Sequence, residues 1–476
     1  MRGALPSLRS PAVRLLVRVR ERRWQRLERG LRRAAALGDA RVAARLLRRS
    51  SLDVSAAPGR LRGRGVGRRP PRIVVLARSQ FTDDARALAH RLGEERVLLI
   101  RREALKALAS ANLPAGTYDF NYRTVLSDGL DAMRRHRAFL RDIWSALDPH
   151  GDVRLVLTAN TGYWAEVELG AALEELDVAF VALHKENLKS PGHAARWEPV
   201  YRETRAQFLG RAVLVQNAAE AELQVRGGVA PPERITVVGM ARLDAFHAHR
   251  RRTAGTRTGG DVLFAGFLPG LNLPMPPEPP GRDVELGVPL PDPERRPEHL
   301  VEACLALHRV AIEVARALPE CHVVLKTKGR EQDRRWTPVL LDRASDGRAL
   351  PGNLRIVHGG DAATMTREAA VVVGLNSTML LEAIAAGRPA VVLELGEMDG
   401  PARPFLVPLK GAASIVRDET EAALTIVRIV REAPEVPADL DEPTLALLDR
   451  WTGNADGRAT ERTVERLRAL MSPAPS

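Results

Sequence analysis

The stretch AAVVVGLNSTMLLEAIAAGRPAVVLEL, residues 369–395, limits what this chain can fold into more than any other. Residues 369–374 and 390–395 are apolar runs with the length of buried strands. Between them Met379, Leu380, Ala383 and Ile384 recur at helical spacing, and Gly387-Arg388-Pro389 supplies a glycine C-cap followed by a proline stop. A strand–helix–strand unit this short closes as a right-handed parallel crossover, so the sheet is parallel and covered by helices. The first strand delivers Gly374, Asn376, Ser377 and Thr378 to a helix start, where free N–H groups and the helix dipole favour an anion. Glu382, one turn further on, is placed to accept hydrogen bonds from a ribose. Together these residues outline a nucleotide-diphosphate site, although Asn376 and Ser377 also read as ordinary helix caps.

The rest of the chain repeats that alternation. Strand-like runs at 72–79, 96–100, 153–160, 178–187, 212–216 and 235–239 are separated by helical segments, including a long amphipathic one at 128–147. A second series has strands at 261–267, 322–327 and 353–359, then the unit above, with helices at 298–318, 419–431 and 461–471. The fold class is therefore α/β: two doubly wound Rossmann-like domains facing a cleft. The expected division is a basic helical segment over 1–57, a linker over 58–71, one domain over 72–250, a second over 260–435, and closing helices over 436–476. Residues 268–297 hold ten prolines directly after the second domain's first strand, and read either as a stiff flap at the cleft mouth or as an insertion without a role.

The net charge of +13 is not spread evenly. Residues 1–70 contain twenty Arg, no Lys and four acidic residues, a net +16, which leaves −3 for everything that follows. A general nucleic-acid-binding surface is thereby excluded. Leu16, Trp24, Leu27, Leu31, Ala34, Val42 and Leu46 fall at three- and four-residue spacings among these arginines. That pattern reads as an amphipathic helix on an anionic membrane surface, or as a helical pair packed on its own body with a solvated Arg face. The sequence contains no apolar run long enough to cross a bilayer. Cys304 and Cys321 are too few for a disulfide framework, and no zinc-type Cys/His spacing occurs.

The pattern G-x-N-S-T-x-x-x-E-A-x-x-x-G-x-P at Gly374–Pro389 resembles the donor-binding element of GT-B-fold glycosyltransferases. Within that fold it is similar to bacterial capsule, surface-carbohydrate and CDP-glycerol transferases, with UDP-N-acetylglucosamine 2-epimerases as relatives. RITVVGMARLDAF (234–246) and VVLKTKGRE (323–331) carry further matches. The resemblance implies that the second domain binds a nucleotide-diphosphate donor, that closing helices cross back onto the first domain, and that no metal or other cofactor is needed. One departure is that Lys326-Thr327-Lys328-Gly329 stands where those transferases often have Lys-x-His-Pro.

Ligands of doubly wound domains bind at the carboxyl ends of the strands. The expected donor-binding residues are accordingly Gly266, Lys326, Lys328, Arg330, Asn376, Ser377, Thr378 and Glu382. Lys326 and Lys328 alternate along a strand, so one of them meets the phosphates. A base for the acceptor is expected in the first domain. His184 and Glu186 at the end of the 178–187 strand are preferred, and Asp83, Asp84 and Glu166 compete. The function this implies is transfer of a sugar or polyol-phosphate from a nucleotide donor to a surface-polysaccharide or lipid-linked acceptor, in the cytoplasm or at the membrane's inner face. The alternatives are a nucleotide-sugar epimerase or hydrolase on the same fold, and a non-catalytic membrane-assembly protein.

Overall fold

A computed structural model describes residues 11–53, 72–77, 82–92, 97–119, 122, 129–185, 188–204, 207–267, 298–395 and 403–472. The chain begins with a helical hairpin, α1 (Pro11–Ala36) and α2 (Ala40–Ser50), joined by a tight turn at Gly38. Asp39 caps α2 by accepting from the Val42 amide at 2.9 Å. Leu31, Ala34, Ala43, Ala44 and Leu47 are buried in the first domain's core, and Trp24, Leu27, Val42 and Leu46 pack against that core. From Trp24 onward the apolar stripe is thus spent on the protein's own body, and arginines such as Arg29, Arg41 and Arg45 face outward. Of the two readings of this segment, packing on the protein's own body holds for the residues from Trp24 onward.

The first sheet contains β1 (Leu52–Asp53), β2 (Ile73–Ala77), β3 (Val97–Arg101), β4 (Leu155–Thr158), β5 (Ala179–Leu183), β6 (Ala212–Val215) and β7 (Ile235–Val237). Their order is β1-β3-β2-β4-β5-β6-β7, parallel except for the β1 edge. Helices α3 (Thr82–Leu92), α4 (Arg102–Asn112), α5 (Leu130–Leu147), α6 (Val167–Glu175), α7 (Pro191–Glu203) and α8 (Ala218–Arg226) cover it. α4 and α5 also receive the N-terminal hairpin. The expected strand at 178–187 stops at Leu183, and residues 184 and 185 leave the sheet.

A turn at 241–243 and helix α9 (Asp244–Thr253) lead to the second sheet. It consists of β8 (Val262–Ala265), β9 (Val323–Thr327), β10 (Leu354–His358), β11 (Val371–Gly374), β12 (Ala390–Leu393) and β13 (Ser414–Val416). All pairs are parallel in the order β10-β9-β8-β11-β12-β13, so the winding reverses between β8 and β11. The opening unit forms as expected, with Val373 opposite Val391 and α13 (Thr378–Ala385) as crossover. Flanking it are α10 (Glu298–Ala317), α11 (Glu331–Ser345), α12 (Ala362–Glu368) and α14 (Glu419–Glu432).

Two helices close the chain, and they part company. α15 (Glu442–Thr452) puts Leu448 and Trp451 into the second domain's core, whereas α16 (Ala459–Met471) puts Val464, Leu467 and Met471 against the first sheet. The crossing point lies between them at Gly453, which has φ 58° and would bring a Cβ within 1.9 Å of the Gln216 carbonyl. Asp244 fixes the return: its carboxylate accepts from the Ala459 and Thr460 amides at 3.1 and 2.8 Å, at the start of α16.

The hairpin's docking is testable through Leu31, whose side chain is 0% exposed. Leu31→Ala should cost about 2–5 kcal/mol of stability in a denaturant titration. Arg45→Gln on the outer face should stay within about 0.5 kcal/mol of the parent. Equal effects from both substitutions would show that the hairpin is not packed as described.

Candidate functional site

The winding reversal between β8 and β11 opens a crevice at the carboxyl edge of the second sheet. Gly266 lines it, with its amide donating to the Lys326 carbonyl at 2.8 Å, and a Cβ there would lie a tight 3.1 Å from that oxygen. Across the reversal Gly374 ends β11, and the chain turns through Asn376 and Ser377 into α13. Ser377 is the N-cap, its hydroxyl accepting from the Met379 amide at 3.3 Å. Asn376 Oδ1 accepts from the Val407 amide at 3.3 Å, which holds the segment beginning at Arg403 beside the crevice. Thr378, half-buried, is the first residue of α13.

Two charged side chains point into this region from within the fold. Lys326, at the end of β9, is buried, and burial lowers its ammonium pKa against the opposing pull of Glu382, Asp333 and Asp361. Glu382 is also buried; its desolvation raises the carboxyl pKa, Arg242 and Lys326 draw it back, and Asp84 adds to the rise. Lys328 is exposed, β9 having ended at Thr327, so the two lysines differ in enclosure. Arg330 is exposed at the start of α11, where its amide donates to Asp333 at 2.8 Å.

Sequence reasoning missed Arg242, the residue that ties this site to the first domain. Its Nε lies 3.1 Å from Glu382 Oε1, and its Nη1 lies 3.7 Å from Asp84 Oδ2 on α3. The available signal was its place in the turn that follows the first domain's last strand.

The first-domain face differs from expectation at His184. The ring is 1% exposed, with Nε2 3.2 Å from Glu220, so it is enclosed in the fold instead of facing the cleft as a base. Glu220 also takes Lys189 Nζ at 2.6 Å, while the ammonium lies 5.6 Å from the Trp197 ring. Burial favours a neutral Glu220, yet Lys189 and His184 outweigh it and hold the carboxyl down to about 2. Glu186 and the flap at 268–297 lie outside the described residues, as does the side chain of Asp83.

Glu166, the competing carboxylate, sits at the carboxyl end of β4 and bonds Thr158 and Arg102, the latter at 3.2 Å. Burial pushes it up to about 7 despite those two partners. It borders a cavity of about 10 Å³ shared with Asn160, Thr161, Tyr163 and Gln207, room for one water. Among the described residues no three His, Cys, Asp or Glu side chains converge on a metal position, and no helix is long and apolar enough to cross a membrane.

Two doubly wound sheets, a linking helix and a returning terminal helix make the arrangement GT-B-like. No family model matches the chain, and no curated protein does. Solved structures with a similar course include the UDP-GlcNAc 2-epimerase from Neisseria meningitidis bound to UDP-GlcNAc, at 12% identity and TM-score 0.46 over 83% of this chain and 99% of that one. The UDP-GlcNAc 2-epimerase from Methanocaldococcus jannaschii matches at 13% identity and TM-score 0.46 over 83% and 99%. The α,α-trehalose-phosphate synthase (UDP-forming) from Burkholderia vietnamiensis matches at 13% and 0.42 over 84% and 98%. Likeness at this level assigns neither reaction nor substrate, which rest on this chain's own residues.

Glu220→Gln should expose how much of the first domain depends on the enclosed ion cluster. It leaves Lys189 buried without a counter-charge, at a cost of about 3–5 kcal/mol in denaturant titrations at neutral pH. The folded pKa of Glu220 lies below its ordinary 4.5, so its contribution is complete above that pH and is lost as the pH falls towards 2. The gap between parent and variant should therefore narrow across that window. A gap that does not change with pH would contradict the ion pairing.

Proposed function

We propose that the chain transfers a sugar or polyol-phosphate from a nucleoside-diphosphate donor to a surface-polysaccharide or lipid-linked acceptor. The observation that carries this reading is the convergence of Lys326, Glu382 and the α13 start at the winding reversal of the second sheet. In this reading the diphosphate lies over the amides that open α13. Lys326 takes up the negative charge that grows on the departing nucleotide as its bond to the transferred group breaks, a nucleoside diphosphate leaving when a sugar moves and a monophosphate when a polyol-phosphate moves. Glu382 accepts from the ribose hydroxyls, with its carboxylate held in place by Arg242. The acceptor hydroxyl attacks from the first-domain side and gives up its proton to a base there. With His184 enclosed, that part falls to Glu186.

A thermal-shift panel with UDP, CDP, GDP, TDP and CMP tests the binding half, since a ligand selective for the folded state raises its stability. At least one diphosphate should raise the melting temperature. Lys326→Gln should weaken that nucleotide about 10- to 100-fold, the ~1.5–3 kcal/mol of a hydrogen bond to a charged group. Donor consumption should require an acceptor; consumption without one identifies an epimerase or hydrolase and rejects the transferase reading. If no nucleotide binds, the reading fails altogether.

A further inference from the structure

At the opposite, amino-terminal edge of the second sheet lies a cluster of positive charge that the proposed chemistry does not use. Arg388 directly precedes the proline before β12, Arg367 is at the end of α12, and His249 and Arg250 come from the last turns of α9. These parts touch: a Cβ on Gly387 would lie 3.1 Å from Arg250 Cγ, and Arg388 Nη2 lies 3.3 Å from His249 Nε2. Arg367 lies over the Phe246 ring at 5.5 Å and donates to Thr364 Oγ1 at 3.0 Å.

The cluster is short of negative charge. Among the described residues Arg250, Arg252, Arg367 and Arg388 have no carboxylate within 4.0 Å. Glu368 and Asp439 attract Arg388 and Arg250 only from farther away. Burial and the neighbouring guanidiniums Arg388, Arg367 and Arg252 lower the pKa of His249. Arg388 and Arg250 are 9% and 5% exposed, and each has a buried Nε without a hydrogen-bond partner. Each guanidinium carries five donors in a fork that matches an oxyanion. Arg388, buried with an unpartnered Nε, and the half-buried Arg367 have only the more distant Glu368 and Asp361 as counter-charges, while Arg250 donates to the Ala438 carbonyl and Arg252 is exposed.

We propose that Arg367 and Arg388, gathered around His249, form a second binding site for a phosphate-class oxyanion, separate from the cleft and independent of the function proposed for it. The anion bridges the two guanidiniums and accepts from the donors left over after the bonds to Thr364 and His249. Such a group arrives either as a soluble phosphate or as a lipid headgroup.

The test uses the full chain in a melting-temperature titration with sodium phosphate against sodium chloride of equal ionic strength. Phosphate should give a saturable rise of about 2–4 °C beyond the chloride control. Lys326→Gln, which removes the cleft cation, should keep that rise, while Arg388→Gln and the half-buried Arg367→Gln should lose it. Sedimentation with phosphatidic-acid vesicles but not phosphatidylcholine, lost in the same two variants, assigns the anion to a lipid headgroup. A phosphate shift without vesicle binding assigns it to a soluble phosphate. No shift beyond chloride, or a shift that survives both arginine substitutions, overturns the site.

Discussion

The contact on which the cleft depends is the bridge that Arg242 makes between carboxylates of the two domains. It leaves the first domain's last turn, reaches Glu382 on α13 at 3.1 Å, and faces Asp84 on α3 at 3.7 Å. An isolated buried carboxylate at the site of Glu382 would be strongly disfavoured. Arg242 supplies the counter-charge that lets it stay, and Lys326 adds a second from β9. The same stretch of chain carries Asp244, which caps α16 and brings the terminal helix back over the first sheet. Domain linkage and site electrostatics are therefore set within three residues of one another.

Charge also organises the interior of the first domain. Its strand ends carry two enclosed ion clusters, Arg102 with Glu166 and Asp119, and Lys189 with Glu220 and His184. Such clusters contribute little net stability compared with apolar packing, but removing one member leaves the other uncompensated. They tie the segments that leave β4 and β5 to α4 and α8.

The inner strands of both sheets were legible as apolar runs, because a parallel strand covered on two faces carries almost no polar residues, whereas the short edge strands β1 and β13 were not read. Less legible were α7 and α11, which hold Pro199 and Pro338 in their interiors and so interrupt the helical signal. The N-terminal hairpin was readable as amphipathic, but periodicity does not say whether an apolar face meets lipid or protein; only the packing of Leu31 and Leu47 answers that. His184 shows the same limit. Its place at a strand end was read correctly, while its enclosure depends on Glu220, thirty-six positions away on α8. Arg242 is a long-range contact of that kind, 140 positions from Glu382, and no local pattern encodes it.

The account stands on a donor nucleotide seated at the winding reversal of the second sheet. Amide hydrogen exchange of the full chain, with and without the nucleoside diphosphate that stabilises it most, localises that contact directly. The account predicts slowed exchange at residues 374–382 and 326–330, where backbone amides and Lys326 meet the phosphates. Protection confined to other segments, with those two unchanged at saturating nucleotide, would contradict it.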